Sequence, residues 1–387
     1  MKAIIIGAGI GGLCTSIALR KIGLQTVVYD KRAELDLGGA GLGIGANAVR
    51  ALQLLGAGDQ LFQVGKTMRS VQIKSERGKL LSDTKTAPIS RKFGADNVNI
   101  DRAKLLDVLL SAAGPDHRIQ ANKRCVRFEQ SACGIKVWFA DGTSEEGDIL
   151  IAADGIHSVI RQTLLPQTKP RYAGYTCWRS VVPVDWSRLN YDPDVFTETW
   201  GRNGRFGLVP LASGHIYWFA CLNAKKADPR LAQFTAKDLA KQFGHYHEPI
   251  PQLLENSCSG LLLHHDILFL PPLRRFTFGR VVLLGDAAHA TTPNMGQGAG
   301  QAIEDAIILA GHIRHSPSIE TALERYSKQR VKRTAAITKM SNLVGKIAQL
   351  NLPAAIALRN ALMPATGKLV TRQLDYLYHI DLDGLLK

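Results

Sequence analysis

Gly7-Ala8-Gly9-Ile10-Gly11-Gly12 is the first stretch of this chain able to hold a charged ligand. In G-x-G-x-x-G between a strand and a helix, the first glycine makes a tight turn, the second admits a pyrophosphate to the backbone, and the third lets helix and strand pack closely. The helix N-terminus adds unpaired N–H groups and a partial positive charge. Asp30 lies 18 residues beyond Gly12, where a carboxylate accepts from the ribose hydroxyls of an adenosine. An acid there repels a 2′-phosphate, so the pattern suits FAD or NAD better than NADP. A second stretch, RVVLLGDAAHATTPNMGQGAGQAIED over residues 280–305, reads as a strand ending at Gly285-Asp286, a loop from Pro293 to Gly298 and a helix. Asp286 can accept from a second ribose or a ribityl hydroxyl, and the Gly296-Gln297-Gly298 turn can bring backbone N–H groups against an electron-rich ring edge. A buried strand followed by a capped helix is the plainer alternative.

The apolar pattern supplies elements to position these groups. KAIII (2–6) is a β-branched run, residues 10–22 have helical periodicity, and QTVVYD (25–30) is a second buried strand, which together make a β-α-β unit and the start of a parallel sheet. The glycine-rich segment 38–45 reads as a loop, with helical spacing from Asn47. Residues 69–92 read as a hairpin, and Asp101–Ala112 as a helix. CVRFEQ, GIKVWFADG and DILIAADG alternate as strands, the last apolar enough for a central position. From about 170 to 270 the chain is strand-rich, with TCWRSVVPV, FTETW, RFGLVPL and HIYWFACL, and residues 300–346 are largely helical.

At 387 residues with 45% hydrophobic and 21% charged side chains, the chain is a folded protein, and its length predicts two cooperating domains. The formal charge of +15 predicts an anionic partner. The basic residues are dispersed, as at Lys21, Arg91, Arg161 and Arg274, rather than gathered in a stripe, so no nucleic acid is expected. Six scattered cysteines (Cys14, Cys125, Cys133, Cys177, Cys221, Cys258) argue against a zinc site or a disulfide framework and for a cytoplasmic location. The apolar start imitates a signal peptide, but five glycines among residues 7–23 fit a strand and helix better. No uninterrupted apolar run of about 18 residues exists, so no membrane span is expected. His264-His265-Asp266 resembles a metal cluster only superficially, because adjacent strand residues diverge, and no metal is expected.

The glycine motif, Ala153-Asp154-Gly155-Ile156-His157-Ser158-Val159-Ile160-Arg161, and Gly285-Asp286-Ala287-Ala288-His289 through Pro293, Gly296-Gln297-Gly298 and Glu304-Asp305 resemble the three fingerprints of the single-component FAD-dependent aromatic hydroxylases, the para-hydroxybenzoate hydroxylase-like monooxygenases. Within that family Gly174-Tyr175-Thr176-Cys177-Trp178-Arg179 and the basic tail resemble the alkylquinolone hydroxylase branch. Arg205 and Tyr217 fall where the urate hydroxylase branch carries a comparable pair.

The resemblance implies an α/β (α+β overall) fold: a Rossmann-like FAD-binding domain from residues 1–70, 95–168 and 275–345, a β-rich substrate domain from 71–94 and 169–274, and a helical tail over 346–387. It implies FAD as cofactor, with NAD(P)H as a transient cosubstrate, bound at Gly7, Gly9, Gly12, Asp30, Arg102, Asp154, Gly155, Asp286, Pro293, Gly296 and Gly298. It also implies hydroxylation through a flavin C4a-hydroperoxide. A reductase or dehydrogenase, an epoxidase, or an idle FAD-binding protein of the same fold are the alternatives. His289, within the fingerprint, is read as structural, and His157 as helping its helix start.

The substrate, a small aromatic molecule meeting dioxygen, is expected between the β-rich sheet and the flavin. Trp178, Trp200, Phe206 and Phe219 are candidate walls, Arg205 would hold an anion, and Tyr217 would orient it. Plain core packing is the alternative for each aromatic. Trp218 should point away from Tyr217 and Phe219. Residues 331–387 carry eight Lys/Arg against three Asp. Their amphipathic stretches either pack on the FAD domain or form a peripheral membrane contact. A monomer or a homodimer is expected.

Overall fold

The computed structural model describes residues 1–34, 40–202, 204–257, 261–382 and 384–386. Gly38, Gly39, Cys258 and Lys387 lie outside them. Two large sheets organise the fold. The first has six strands in the order Thr277–Phe278, Val281–Leu283, Ile149–Ala152, Lys2–Ile6, Gln25–Tyr29 and Ile119–Gln120. All neighbours are parallel except the Thr277–Phe278 edge. Its central strands are continuous apolar runs because they are covered by helices and by the three-stranded sheet Ser144–Gly147, Ile135–Phe139 and Cys125–Gln130, whose Phe139 ring centroid lies 4.4 Å from that of Tyr29, and Ile4, Ile5, Leu150, Ile151, Val281 and Val282 are fully buried. The helices Ile10–Lys21 and Gly298–His315 pack against each other on this sheet.

Register places the chemistry. Ile6 pairs with Ala152 and with Tyr29, and Ala152 pairs with Leu283. The loops that follow, at Gly7, Asp30, Ala153 and Leu284, therefore leave from one edge, the carboxyl end of a parallel sheet, where such folds bind ligands.

The second sheet has seven strands in the order Leu263–Phe269, Arg171–Pro183, His215–Asn223, Arg205–Leu211, Val195–Trp200, Ser70–Ser75 and Leu80–Lys85. The expected hairpin joins it as the last two strands, with a short helix, Ala87–Phe93, closing the segment. One face packs on the helices Ala236–Phe243 and Ile250–Asn256, and its core holds Trp178, Phe206, Leu208, Ile216 and Trp218. The opposite face carries Tyr175, Cys177, Arg179, Arg205, Tyr217 and Phe219 by the same alternation.

Part of the glycine-rich loop is a strand. Gly41–Ile44 pairs antiparallel with Val98–Asp101, and a side chain at Gly41 would stand 2.5 Å from the Tyr217 ring. Glycine here serves a close approach to the second sheet rather than a turn. The tail also departs from a separate segment. The helix Ile319–Ala348 runs unbroken past residue 345, and Leu377, Tyr378, Ile380 and Leu382 are buried in the core of the first sheet.

Candidate active site

Three bare glycines mark where a ligand's backbone contacts would fall. Around Gly9, Gly155 and Gly298, among the described residues, no atom beyond the chain neighbours lies within 4 Å of the place a Cβ would occupy. Gly7 and Gly12 differ. A Cβ on Gly7, at φ +107°, would stand 2.3 Å from the Ala153 carbonyl oxygen, and one on Gly12 would stand 1.9 Å from that of Gly7. Gly7 and Gly12 thus build the turn, and Gly9 leaves an opening at the start of the Ile10–Lys21 helix, as pyrophosphate recognition requires.

Asp30 stands at that turn but is not an open acceptor. Its Oδ2 accepts from the Ala8 amide at 2.8 Å, and its two oxygens take a forked ion pair from Arg32, whose Nε donates to Oδ1 at 2.8 Å and Nη2 to Oδ2 at 2.9 Å. Burial pushes its carboxyl up, but the Arg32 and Ala8 donors outweigh this and hold it below the usual aspartate value. A ribose diol reaching Asp30 would share its oxygens with Arg32.

Asp286 and Arg102 lie near enough for each charge to act on the other. Both side chains are open to solvent yet surrounded by protein. That enclosure pushes the Asp286 carboxyl up from its ordinary value, opposed by His289, Arg102 and Arg161. Asp154 accepts from the Val159 amide at 2.9 Å through Oδ2, while its buried Oδ1 has no hydrogen-bond partner among the described residues. The helix at Val159–Leu164 is capped by this carboxylate and by Ser158, whose hydroxyl accepts from the Arg161 amide at 2.9 Å. His157 is exposed and makes no such bond, so the expected role at the helix start belongs to Ser158 and Asp154. The bare glycines, the orphaned Asp154 oxygen and two ionisable groups lining a cleft fit a dinucleotide with a polyhydroxylated linker.

The loop from Pro293 to Gly298 begins with a 3-10 turn at Pro293–Met295 and passes through Gly296, at φ +60°, into the Gly298–His315 helix. Asn294 joins this loop to the second sheet. Its Oδ1 accepts from the Arg205 guanidinium and from the Tyr175 hydroxyl, the latter at 2.9 Å. Its Nδ2 donates to Thr292 Oγ1 at 2.9 Å and to the Ser341 carbonyl at 2.8 Å. Arg205 also donates to Glu198 at 3.1 Å and to the Tyr175 hydroxyl at 3.2 Å, leaving its buried Nε without a partner among the described residues. Burial holds the Tyr217 phenol well above its usual range, against the pull of the Arg179 and Arg205 charges, so it stays a donor. Below it the Phe219 ring lies over Gly207, where a Cβ would stand 2.1 Å from the ring.

Trp178 and Phe206 are not in this pocket. Each is one residue out of step with its facing neighbour, Cys177 or Arg205, so the pleat turns it to the helix-covered side. Trp178 stacks on His264 and Phe234, with centroids 4.6 and 5.6 Å away, and Phe206 stacks on Trp218 at 5.5 Å. Trp218 points away from Tyr217 and Phe219, as expected. Trp200 shares the Arg205 face, but the Arg359 guanidinium lies 5.4 Å from its ring centroid. Phe206→Ala is expected to cost about 3–5 kcal/mol of stability and to leave substrate preference unchanged. Thermal unfolding alongside a substrate panel checks this, and a shifted preference would return Phe206 to the pocket.

Tyr175, Asn294 and Arg179 were missed as individual site residues; the period-two spacing of Tyr175, Cys177 and Arg179 was the available signal. His289 is structural: Nε2 lies 2.6 Å from Asp305 Oδ2, which also takes the Gly285 amide at 2.8 Å. His264 bonds Thr176 at 2.6 Å and Asp266 accepts from the Ala227 amide at 2.7 Å, while His265 is exposed opposite Cys177 on the other face of the strand, so the two histidine side chains diverge.

A family model described as "FAD binding domain" matches residues 1–341. The chain is 36% identical to an aurachin C monooxygenase/isomerase from Stigmatella aurantiaca, covering 94% of each, and 37% identical to a FAD-dependent urate hydroxylase from Klebsiella pneumoniae, covering 86% of each. The structure of Klebsiella pneumoniae HpxO complexed with FAD and uric acid superposes with a TM-score of 0.89 at 32% identity, over 97% of this chain and 96% of that one. The chain therefore belongs to the FAD binding domain family and is a FAD-dependent monooxygenase.

Proposed function

We propose that this chain uses NAD(P)H and dioxygen to hydroxylate a planar aromatic or heteroaromatic small molecule, bound between the second sheet and the flavin. The observation that carries the reading is Asn294. One side chain on the loop expected at the flavin ring is hydrogen-bonded to Arg205 and Tyr175 on the second sheet, so a substrate on that face lies against the cofactor. FAD supplies, when bound, the activation of dioxygen with electrons from NAD(P)H.

The chain's residues do the rest. Gly7, Gly9 and Gly12 shape the pyrophosphate turn, and Asp30, Arg102, Asp154, Gly155 and Asp286 line the remainder of the dinucleotide cleft. Pro293, Gly296 and Gly298 set the loop that meets the ring edge. The division of labour follows the two sheets, with 71–94 and 169–274 supplying the substrate side. Arg205 is held by Glu198, Tyr175 and Asn294 with its fork already oriented, which favours binding of a substrate anion without further ordering. Tyr217, a protonated phenol, donates to the substrate, and Phe219 and Trp200 supply aromatic surface that excludes water. That one relative is named a urate hydroxylase supports a flat heteroaromatic substrate.

A panel of phenols, quinolones and purines tests the reading. One class should stimulate NAD(P)H oxidation and yield a product heavier by one oxygen atom. Turnover without oxygen, with an added electron acceptor and no oxygenated product, would instead make the chain a reductase. Arg205→Ala should lower substrate-stimulated turnover by roughly 100-fold or more, the scale of losing one preorganised charge-stabilising donor, with flavin absorbance retained. Full activity in that variant would remove Arg205 from the site.

A further inference from the structure

The helix Pro353–Leu362 is turned the opposite way from an ordinary surface helix. Its one charged residue, Arg359, is only 6% exposed and points inward. The guanidinium donates to the carbonyls of Ile347 and Ala348 at 3.3 Å each, ending the preceding helix, and to the Trp200 carbonyl at 3.1 Å. Leu358 and Leu362 face outward, 61% and 56% exposed, with Leu352 at 67% just before the helix. The flanking helices continue the pattern. Leu343 and Ile347 are exposed at the end of Ile319–Ala348, and Leu369 and Tyr376 on Gly367–Tyr378. Among the described residues, half of the exposed large hydrophobic side chains lie between residues 343 and 376, which is concentration rather than the usual scatter.

Charge indicates what covers this face. From residue 325 to 374 there is no Asp or Glu, while ten Lys and Arg occur. Arg330, Arg333 and Arg359 are spent inside the protein. Lys339, Lys346, Lys368 and Arg372 are exposed in helical register with the leucines: Lys339, Leu343, Lys346 and Ile347 share one stripe, as do Leu369, Arg372 and Tyr376. Two copies of the chain docking here would set like charges against like. A surface of lipid phosphates supplies both the counter-charge and an apolar layer. Among the described residues no helix is long and apolar enough to cross a membrane, so the geometry is that of a face lying on the surface.

We propose that these three helices dock on an anionic phospholipid bilayer, with Leu352, Leu358 and Leu362 entering the headgroup–acyl boundary and Lys339, Lys346, Lys368 and Arg372 meeting lipid phosphates. The inference goes beyond the proposed reaction and does not depend on it. Arg359 ties the face to Trp200, the cross-strand partner of Arg205, so the docked surface borders the substrate side of the second sheet.

Flotation of the flavin-loaded full chain with vesicles tests this without any turnover assay. It should float with vesicles of phosphatidylglycerol in phosphatidylcholine, float less with phosphatidylcholine alone, and release as salt rises. The double variant Leu358→Glu/Leu362→Glu, altering only outward side chains, should keep its flavin absorbance and melting temperature and lose vesicle partition by about tenfold or more. Lys346→Glu/Lys368→Glu should weaken binding to the anionic vesicles in the same direction. Equal binding to both lipids, no binding to either, or wild-type partition in the leucine variant would overturn the proposal. So would a concentration-dependent dimer, seen by light scattering and broken by that variant, in place of lipid binding.

Discussion

A Gly9→Val variant is expected to fold normally and to come off purification colourless. Gly9 has φ −80°, which any residue adopts, and among the described residues no atom beyond its own chain neighbours lies within 4 Å of its missing Cβ. A side chain there meets none of them. It fills the opening through which a pyrophosphate would approach the helix N-terminus, so FAD affinity should fall by roughly 100-fold or more, about 3 kcal/mol. Gly12→Ala is the informative contrast. Its Cβ would stand 1.9 Å from a backbone oxygen, so strand and helix must separate and the fold itself should suffer. Thermal unfolding of the FAD-free proteins and flavin titration separate the two. Gly9→Val binding FAD at wild-type affinity would place the pyrophosphate elsewhere.

Arg330→Met is expected to give the largest loss of stability. Arg330 is fully buried, with Nε donating to Asp305 at 2.6 Å, Nη1 to Glu304 at 2.6 Å and Nη2 to the carbonyl and side chain of Gln301 at 3.0 and 2.8 Å. Glu304 also takes two donors from Arg333 at 2.7 and 2.8 Å and one from Asn47 at 2.5 Å. Arg333 in turn holds the Leu377 carbonyl at 2.7 Å, near the end of the last helix. Removing Arg330 leaves two buried carboxylates short of a counter-charge, a cost of about 3–5 kcal/mol. Asp305 anchors the Gly285 amide, next to Asp286, which is proposed to line the flavin cleft, so FAD affinity should fall as well.

The pH dependence has a definite sign. Burial raises both carboxyls, but Arg330 together with His289 for Asp305 and Arg333 for Glu304 outweighs it, and both end below their usual values. A depressed carboxyl stabilises the fold above its unfolded pKa near 4 and loses that contribution as pH falls through the folded value. The stability gap between wild type and Arg330→Met should therefore be full at neutral pH and narrow in acid. Equal melting temperatures at neutral pH would show that the network is dispensable.

The glycine turn proposed for the flavin was legible because its demands are local. A turn that leaves a strand, admits a phosphate and packs a helix requires glycine at Gly7, Gly9 and Gly12 within six residues, and Asp286 at a strand end was readable in the same way. The substrate face was legible only as far as period-two alternation was applied. Tyr217 and Phe219 were separated from Trp218 by it, but Trp178 and Phe206 were taken with Arg205 despite being out of step with it. The Arg330 network was hidden because its parts sit on separate helices, with no spacing that marks Arg330 as buried rather than solvated. The same holds for Arg359, whose inward direction depends on Trp200, distant in sequence. Gly41 read as loop because its role, letting a strand pass against Tyr217, appears only when the two sheets meet.

Turnover under isotopically heavy dioxygen tests the central claim most directly. With the flavin-loaded chain, NAD(P)H and the stimulating aromatic, the account predicts one heavy oxygen atom in the organic product. Product oxygen drawn from water, or NAD(P)H oxidation that continues undiminished without dioxygen, would contradict it.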